Sequence, residues 1–233
     1  MPESAFHKLE KYRAVNQFRP TRVRAATIVA RVLGLAVVIL LTSCETADDT
    51  DACSQVGENY LMDADFAIEQ QDPHSIHWVG LQHAGETSFE FAFEDGEFSM
   101  KKIGTQPWGV LRQKLRNSDL GGSRMAFEAE IKLDLTGEGV RTFPVGGGLE
   151  LTARSGRNRI LLHSALNHKP RLGKTEWQKV RVVVDIPEKT KVIDLGFLHQ
   201  ASGLMQIRNP SFHRVDASST ACVVTPDLYP GAK

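Results

Sequence analysis

The 233-residue sequence predicts an all-β protein, an antiparallel β-sandwich, on three observations. The first is the alternation from Lys179 to Ile186. Val180, Val182, Val184 and Ile186 fall on one side, and Lys179, Arg181 and Asp185 on the other. A period of two with β-branched apolar residues marks a strand with one buried face. The second is Phe127 to Leu135, where odd positions are apolar and even positions charged. The third is spacing: apolar runs at Val180–Ile186, Val192–Leu198 and Leu204–Val215 leave no room between them for crossover helices, so neighbouring strands pair antiparallel.

Taken in order, the chain opens on a segment unlike the rest. Residues 1–43 hold seven Lys or Arg against two Glu, which leaves 21 basic and 26 acidic residues beyond Ser43. The remainder is mildly acidic, which argues against nonspecific nucleic-acid binding, since that needs a basic face. Arg19, Arg22, Arg24 and Arg31 precede an uninterrupted apolar run of ten residues, Val32 to Leu41. That length is too short to span a bilayer and suits the apolar core of a signal peptide. Leu41-Thr42-Ser43-Cys44 resembles the bacterial lipobox, which implies lipidation of Cys44, diacylglycerol plus an amide-linked acyl chain, and a stable membrane anchor. Ordinary cleavage before an unmodified Cys44, or retention of the segment as an anchor, stays open. The length of the leader leaves room for a start downstream of Met1. Glu45-Thr-Ala-Asp-Asp-Thr-Asp51 is acidic and lacks large apolar residues, so it reads as a tether, and Glu45 fits the sorting pattern of outer-membrane lipoproteins. The expected organisation is a signal peptide over 1–43, a lipidated tether over 44–56, the sandwich over 57–217 and a tail over 218–233.

Within the sandwich, Phe89, Phe91 and Phe93 alternate with polar residues, and Asp95-Gly96 supplies a hairpin turn into Phe98 and Met100. Val110 to Arg116 fits a strand or a helical turn. Gly137 and Gly139 end the strand begun at Phe127. Gly146-Gly147-Gly148 reads as a turn, lacking the Lys and Ser or Thr of a phosphate loop. Strands follow at Leu149–Leu151 and Ile160–Leu162, and Pro187 ends the strand at Ile186.

The Trp177-Gln178 pair opening a strand, the Val184-Asp-Ile-Pro187 end, Leu195-Gly196, Ser202-Gly203 and a terminal strand resemble the galactose-binding-like jelly roll shared by many carbohydrate-binding modules. Gln106-Pro-Trp108-Gly109-Val-Leu-Arg112-Gln113, followed by Gly121-Gly122 and a long strand, is similar to another block of those modules. The resemblance covers roughly residues 57–216 and implies a ligand site on the concave sheet. Trp108, Arg112 and Gln113 are its candidates, with Asn167, His168 and Arg171 from the loop before Trp177. Sugars are recognised by aromatic faces and planar polar side chains, the mixture these residues offer. Trp108 could equally be a packing residue, and Trp177, opening a buried strand, reads as core. Arg154, Arg157 and Arg159 form a basic cluster that would suit an acidic glycan or simply meet water. A jelly roll sets its first and last strands side by side, so Cys53 and Cys222 could join in a disulfide, worth about 4–5 kcal/mol in the chain-entropy model, or remain free thiols.

Catalytic chemistry finds little support. No nucleophile elbow is present, and no cysteine is left over. Paired carboxylates for glycoside hydrolysis could come from Glu128, Glu130, Glu138 and Glu150, but regularly spaced charges are ordinary on the wet face of a strand. His74 and His77 bracket Trp78 without further metal-ligand spacing. No cofactor is expected, apart from a structural calcium that Asp63, Asp65 and Asn209 would hold, as in related modules. The expected function is a non-catalytic envelope lipoprotein that binds a glycan. The alternative is an assembly role against another envelope protein, which a large exposed aliphatic patch would favour.

Overall fold

A computed structural model describes residues 55–67, 77–83, 85–116, 118–137, 145–165 and 171–216. The leader, Cys44, Cys53, His74, Glu138, Asn167, His168 and Cys222 lie outside the described residues. The elements are β1 (Gln55–Val56), β2 (Val79–Gln82), β3 (Phe89–Glu94), β4 (Glu97–Lys102), β5 (Gly109–Leu115), a 3-10 turn (Ser118–Leu120), β6 (Arg124–Thr136), β7 (Gly146–Ser155), β8 (Ile160–Ala165), β9 (Gly173–Lys174), β10 (Gln178–Asp185), β11 (Thr190–Gln200) and β12 (Ser202–Val215).

Every named pairing is antiparallel. One sheet has the order β10-β6-β12-β4-β3, with β1 added to β12 and β9 to β6; the other is β2-β5-β11-β7-β8. The chain is thus the β-sandwich that alternation predicts. Val180, Val182, Val184 and Ile186 are all buried, and so are Phe127, Ile131, Leu133 and Leu135. Val182 sits opposite Phe127 in the β10–β6 ladder, which fixes the register of both strands. The β3–β4 hairpin turns on Asp95 and Gly96, both with positive φ (50° and 78°), as a tight two-residue turn requires. Val110 to Arg116 resolves as a strand, β5, because Leu111 and Gln113 must both face inward.

An aromatic chain fills the space between the sheets. Trp78 is buried, its ring 5.5 Å from Phe66 and 5.7 Å from Phe197, and its indole N–H donates to the Asp63 carbonyl at 3.0 Å. Phe197 continues to Phe127 at 5.6 Å. The His77-Trp78 stretch therefore contributes core.

Four expectations need correction. Gly146-Gly147-Gly148 is no turn but the start of β7; a Cβ on Gly147 would meet Met205 Sδ at 2.8 Å and Leu135 at 3.0 Å, so close packing demands glycine. The sandwich begins within the expected tether, because Gln55 and Val56 pair with Val215 and Arg214. This pairing does set the first and last strands side by side. Glu128 does not meet water: Lys179 (2.8 Å), Arg181 and Gln55 (3.0 Å) cover it, leaving its side chain 2% exposed. Trp177 is only half-buried and lies outside the core, with the Arg208 guanidinium 4.3 Å from its ring centre.

Candidate functional site

The outer face of the five-stranded sheet follows from alternation. Along β5, Leu111 packs in the core and a Cβ on Gly109 would strike Phe89, so Val110, Arg112 and Lys114 face outward. The ladder carries that face across the sheet. Arg112 sits opposite Val79 on β2 and Gly196 on β11, and Gly196 opposite Glu150 on β7. One step away run Leu81, Val110, Leu198 and Gly148; on the other side run Lys114, Asp194, Thr152 and His163.

Gly196 is the pivot of this face. A Cβ there would meet the Leu111 carbonyl oxygen at 2.9 Å and Val110 Cγ2 at 3.1 Å. With no side chain in between, Arg112 reaches across β11 and donates to both Glu150 oxygens, at 3.3 and 3.4 Å. Both contacts come from Nη2, so one guanidinium nitrogen is shared between the two carboxylate oxygens. The Arg112 and Glu150 side chains are 28% and 12% exposed, so the pair is mostly out of water, with the guanidinium the more accessible partner. Beside it, Arg154 Nε donates to Asp194 at 2.9 Å, and Lys114 Nζ stands 3.9 Å from the other Asp194 oxygen. Thr152 Oγ1 and His163 Nδ1 are 2.9 Å apart.

At the other end of β5, the alternation carries Trp108 to the same outer face. His83 donates its backbone N–H to the Trp108 carbonyl at 3.1 Å, and the two rings meet edge to face at 5.9 Å. His83 Nδ1 is 2.8 Å from Gln106 Oε1, which fixes the imidazole. Trp108 is half-buried. Between it and the Arg112–Glu150 pair lie Val110, Leu198, Gly148 and Gly196; Val110 and the two glycines are buried and Leu198 is half-buried. From Trp108 to Arg112 is four residues, about 13 Å along a strand.

The predicted residues divide. Trp108 and Arg112 share this face. Gln113 does not: it points inward and is 2% exposed. Its amide accepts from Met62 N–H and donates to the Met62 carbonyl, both at 2.8 Å, so both ends are spent on the backbone next to Asp63, whose carbonyl accepts the Trp78 indole. Arg171 is bonded through its carbonyl to Gly147 N–H, and its guanidinium donates to Gln178 Oε1 at 2.8 Å. It closes the far edge of β7, three strand spacings or about 14 Å from Trp108. Asn167 and His168 lie outside the described residues. Arg154 is committed to Asp194, so the expected basic cluster is partly an ion-paired one. Glu150, Asp194, Thr152, His163 and His83 were missed as site residues, although alternation in β7 and β11 already sets the first three on the face of Arg112.

The carboxylates considered for hydrolysis are separated. Glu150 lies on the outer face of the five-stranded sheet, and Glu128 and Glu130 on that of the seven-stranded sheet. Glu130 accepts from Arg208 at 2.7 Å, and this bond holds its carboxyl below the usual range. Among the described residues no three His, Cys, Asp or Glu side chains gather where they could hold a metal. Of the calcium candidates, Asp63 receives the Trp78 indole on its carbonyl, Asp65 accepts from Ala67 N–H at 3.4 Å, and Asn209 donates to Glu130 at 3.4 Å.

No protein-family model matches the sequence, and no characterised protein matches it. Solved structures superpose on part of the chain, the following three each with a TM-score below 0.5. The enzymatically active domain of tailspike protein 4 from bacteriophage CBA120 superposes with a TM-score of 0.45 at 10% identity, over 59% of this chain and 19% of that one. The CBM22-1 xylan-binding domain from Paenibacillus barcinonensis Xyn10C gives 0.41 at 12% identity, over 62% of this chain and 89% of the domain. TmCBM61, solved in complex with β-1,4-galactotriose, gives 0.41 at 13% identity, over 68% and 99%. The last two are named as carbohydrate-binding modules. Neither a family nor a ligand follows from these matches.

Proposed function

We propose that this protein is a non-catalytic binding module that takes a carbohydrate along the outer face of its five-stranded sheet. One observation carries the reading: Trp108, a stretch of aliphatic and glycine residues, and the Arg112–Glu150 ion pair lie in that order along one face. An indole offers a flat apolar surface to the C–H face of a sugar ring, and the ion pair offers fixed donors and acceptors to hydroxyls. Spread over about 13 Å, these groups suit an oligosaccharide better than a single ring. The test is a glycan array followed by titration of residues 45–233, which contain every described strand. Trp108→Ala should lower affinity at least tenfold, as loss of one stacked aromatic does, while Trp177→Ala on the other sheet should not. A folded protein with no saturable glycan binding, or equal binding by the Trp108 variant, ends the proposal.

An assembly role has one observation in its favour, the exposed aliphatic side chains of Met62 (55%), Val79 (46%) and Leu81 (40%). Three side chains fall short of the roughly several hundred Å² that marks a protein interface. The binding reading is therefore preferred.

The place of action is proposed from the sequence. Lipidated Cys44 would tether the module to the bacterial envelope, at the outer membrane, through the acidic stretch that follows it. Labelling with an acyl-chain analogue should be lost in Cys44→Ser. Non-reduced peptide mapping decides whether Cys53 and Cys222 are joined.

A further inference from the structure

Where β2 meets β5, the outer face continues into a groove of about 340 Å³ lined by Met62, His77, Val79, Leu81, Arg112 and Lys114. β2 is short and pairs β5 only as far as Arg112, so Lys114 and Leu115 extend beyond the last β2–β5 pair. The groove therefore opens beside the sheet edge and joins the face described above through Arg112. Its wall is aliphatic, with Met62, Val79 and Leu81 each about half exposed. Its charge is one-sided: among the described lining residues are two permanent cations, one histidine and no carboxylate.

The two cations are not equally engaged. Arg112 is held by both oxygens of Glu150. Lys114 has only Asp194 at 3.9 Å, and that carboxylate is already bonded by Arg154 at 2.9 Å. With its side chain 53% exposed, the Lys114 ammonium keeps donors for another anion. A ligand matching this groove has an apolar face for Val79 and Leu81 and a carboxylate for Lys114.

Resting on the reading of the outer face as a glycan site, we infer that the groove selects a carboxylate-bearing sugar, a uronic acid residue of the bound glycan. The C–H face of the ring lies on the aliphatic wall, and the carboxylate reaches the ammonium. A free aliphatic carboxylate has the same chemistry, so the experiment separates the two sources.

The full chain in detergent is titrated with oligogalacturonate and with a glucuronoxylan oligosaccharide, each beside its carboxyl-reduced counterpart, and with octanoate. The acid forms should bind at least tenfold tighter than the reduced forms, as befits one charge-assisted contact. The preference should narrow at high salt. In Lys114→Gln the ratio of acid to reduced affinity should fall about tenfold. Equal affinity for acid and reduced forms overturns the inference and leaves the glycan reading standing. Equal weakening of both forms in Lys114→Gln overturns it too, since that marks a structural effect. Binding of octanoate alone overturns it in favour of a fatty-acid groove, and no glycan binding by a folded protein removes the reading and the inference together.

Discussion

His199 should make this protein acid-sensitive in a window where carboxylates are not. It lies on the inner side of β11, fully buried, with the Phe89 ring edge to face at 5.3 Å. Neither ring nitrogen reaches a partner at hydrogen-bonding geometry. Burial holds its pKa down to about 4, and the Lys102 charge pushes the same way; polar backbone at Gly203 and at His199 itself opposes this without reversing it. Above pH 6.5 the imidazole is neutral in both folded and unfolded chains, so it exacts no cost. As pH falls from 6.5 towards 4, the unfolded chain takes up a proton that the folded chain refuses, and stability drops; below 4 the loss levels off. A shift of this size corresponds to about 2 kcal/mol lost by pH 5 and about 3 kcal/mol in full. Glu130, with its pKa lowered chiefly by the Arg208 hydrogen bond, acts in the same direction but in a more acid range, losing its stabilising contribution only as pH falls through the carboxylate range.

The perturbation is His199→Leu, and the assay is urea denaturation of wild type and variant between pH 7.5 and 4. Wild-type stability should fall by about 2 kcal/mol more than that of the variant between pH 7 and 5. The variant should also gain about 1 kcal/mol at pH 7, because a buried polar ring without partners is removed. Parallel stability curves between pH 6.5 and 5 would refute the reasoning.

Three further outcomes follow from packing. Val182→Asp should give no folded protein by circular dichroism, since it buries an unpaired carboxylate against Phe127; a cooperative unfolding transition would mean the β10–β6 register is wrong. Gln113→Ala should cost about 2 kcal/mol by denaturant midpoint, because Met62 loses a partner for both its N–H and its carbonyl; a neutral result would show the clamp is not formed. Gly203→Ala should cost about 2–3 kcal/mol, because φ is +111° and a Cβ would strike the Asp134 carbonyl oxygen; an unshifted melting temperature would contradict that close approach of β12 to β6.

The fold was legible wherever one face of a strand is apolar and the other charged. β6 and β10 alternate in the sequence because successive side chains point to the core and to the outer face in turn, and Asp95-Gly96 announces its turn because both residues must take positive φ. Legibility failed where two elements compete for one space. Gly147 looks like a turn residue, yet it is a strand residue whose side chain would occupy the place of Met205. Gln113 looks like a ligand donor beside Arg112, but strand geometry sends neighbours to opposite faces, and the partner it serves, Met62, lies far away in sequence. Glu128 shows the same limit. Its charge says surface, and only the β10–β6 register brings Lys179 and Arg181 over it. Trp108 and Arg112 were legible because their spacing of four keeps them on one side of a strand.

The two outer faces show why the proposed site belongs to one sheet and not the other. Both carry arginines and carboxylates in register, and both have a half-buried tryptophan. On the seven-stranded sheet the outward positions of β6 run Ala126, Glu128, Glu130, Lys132 and Asp134, so all but the first are charged, and Glu128 and Glu130 are held by Lys179, Arg181 and Arg208. Trp177 there already has a cation, Arg208, stacked on its ring, and Arg208 in turn is bonded to Glu130. A sugar would have to break those contacts to gain its own. On the five-stranded sheet Gly148, Gly196, Val110 and Leu198 interrupt the charges, and no cation lies over the Trp108 ring among the described residues. The charged pairs sit at one end and the aromatic at the other, with an apolar stretch between. That separation, more than the count of polar groups, makes the face suited to a ligand with both C–H faces and hydroxyls.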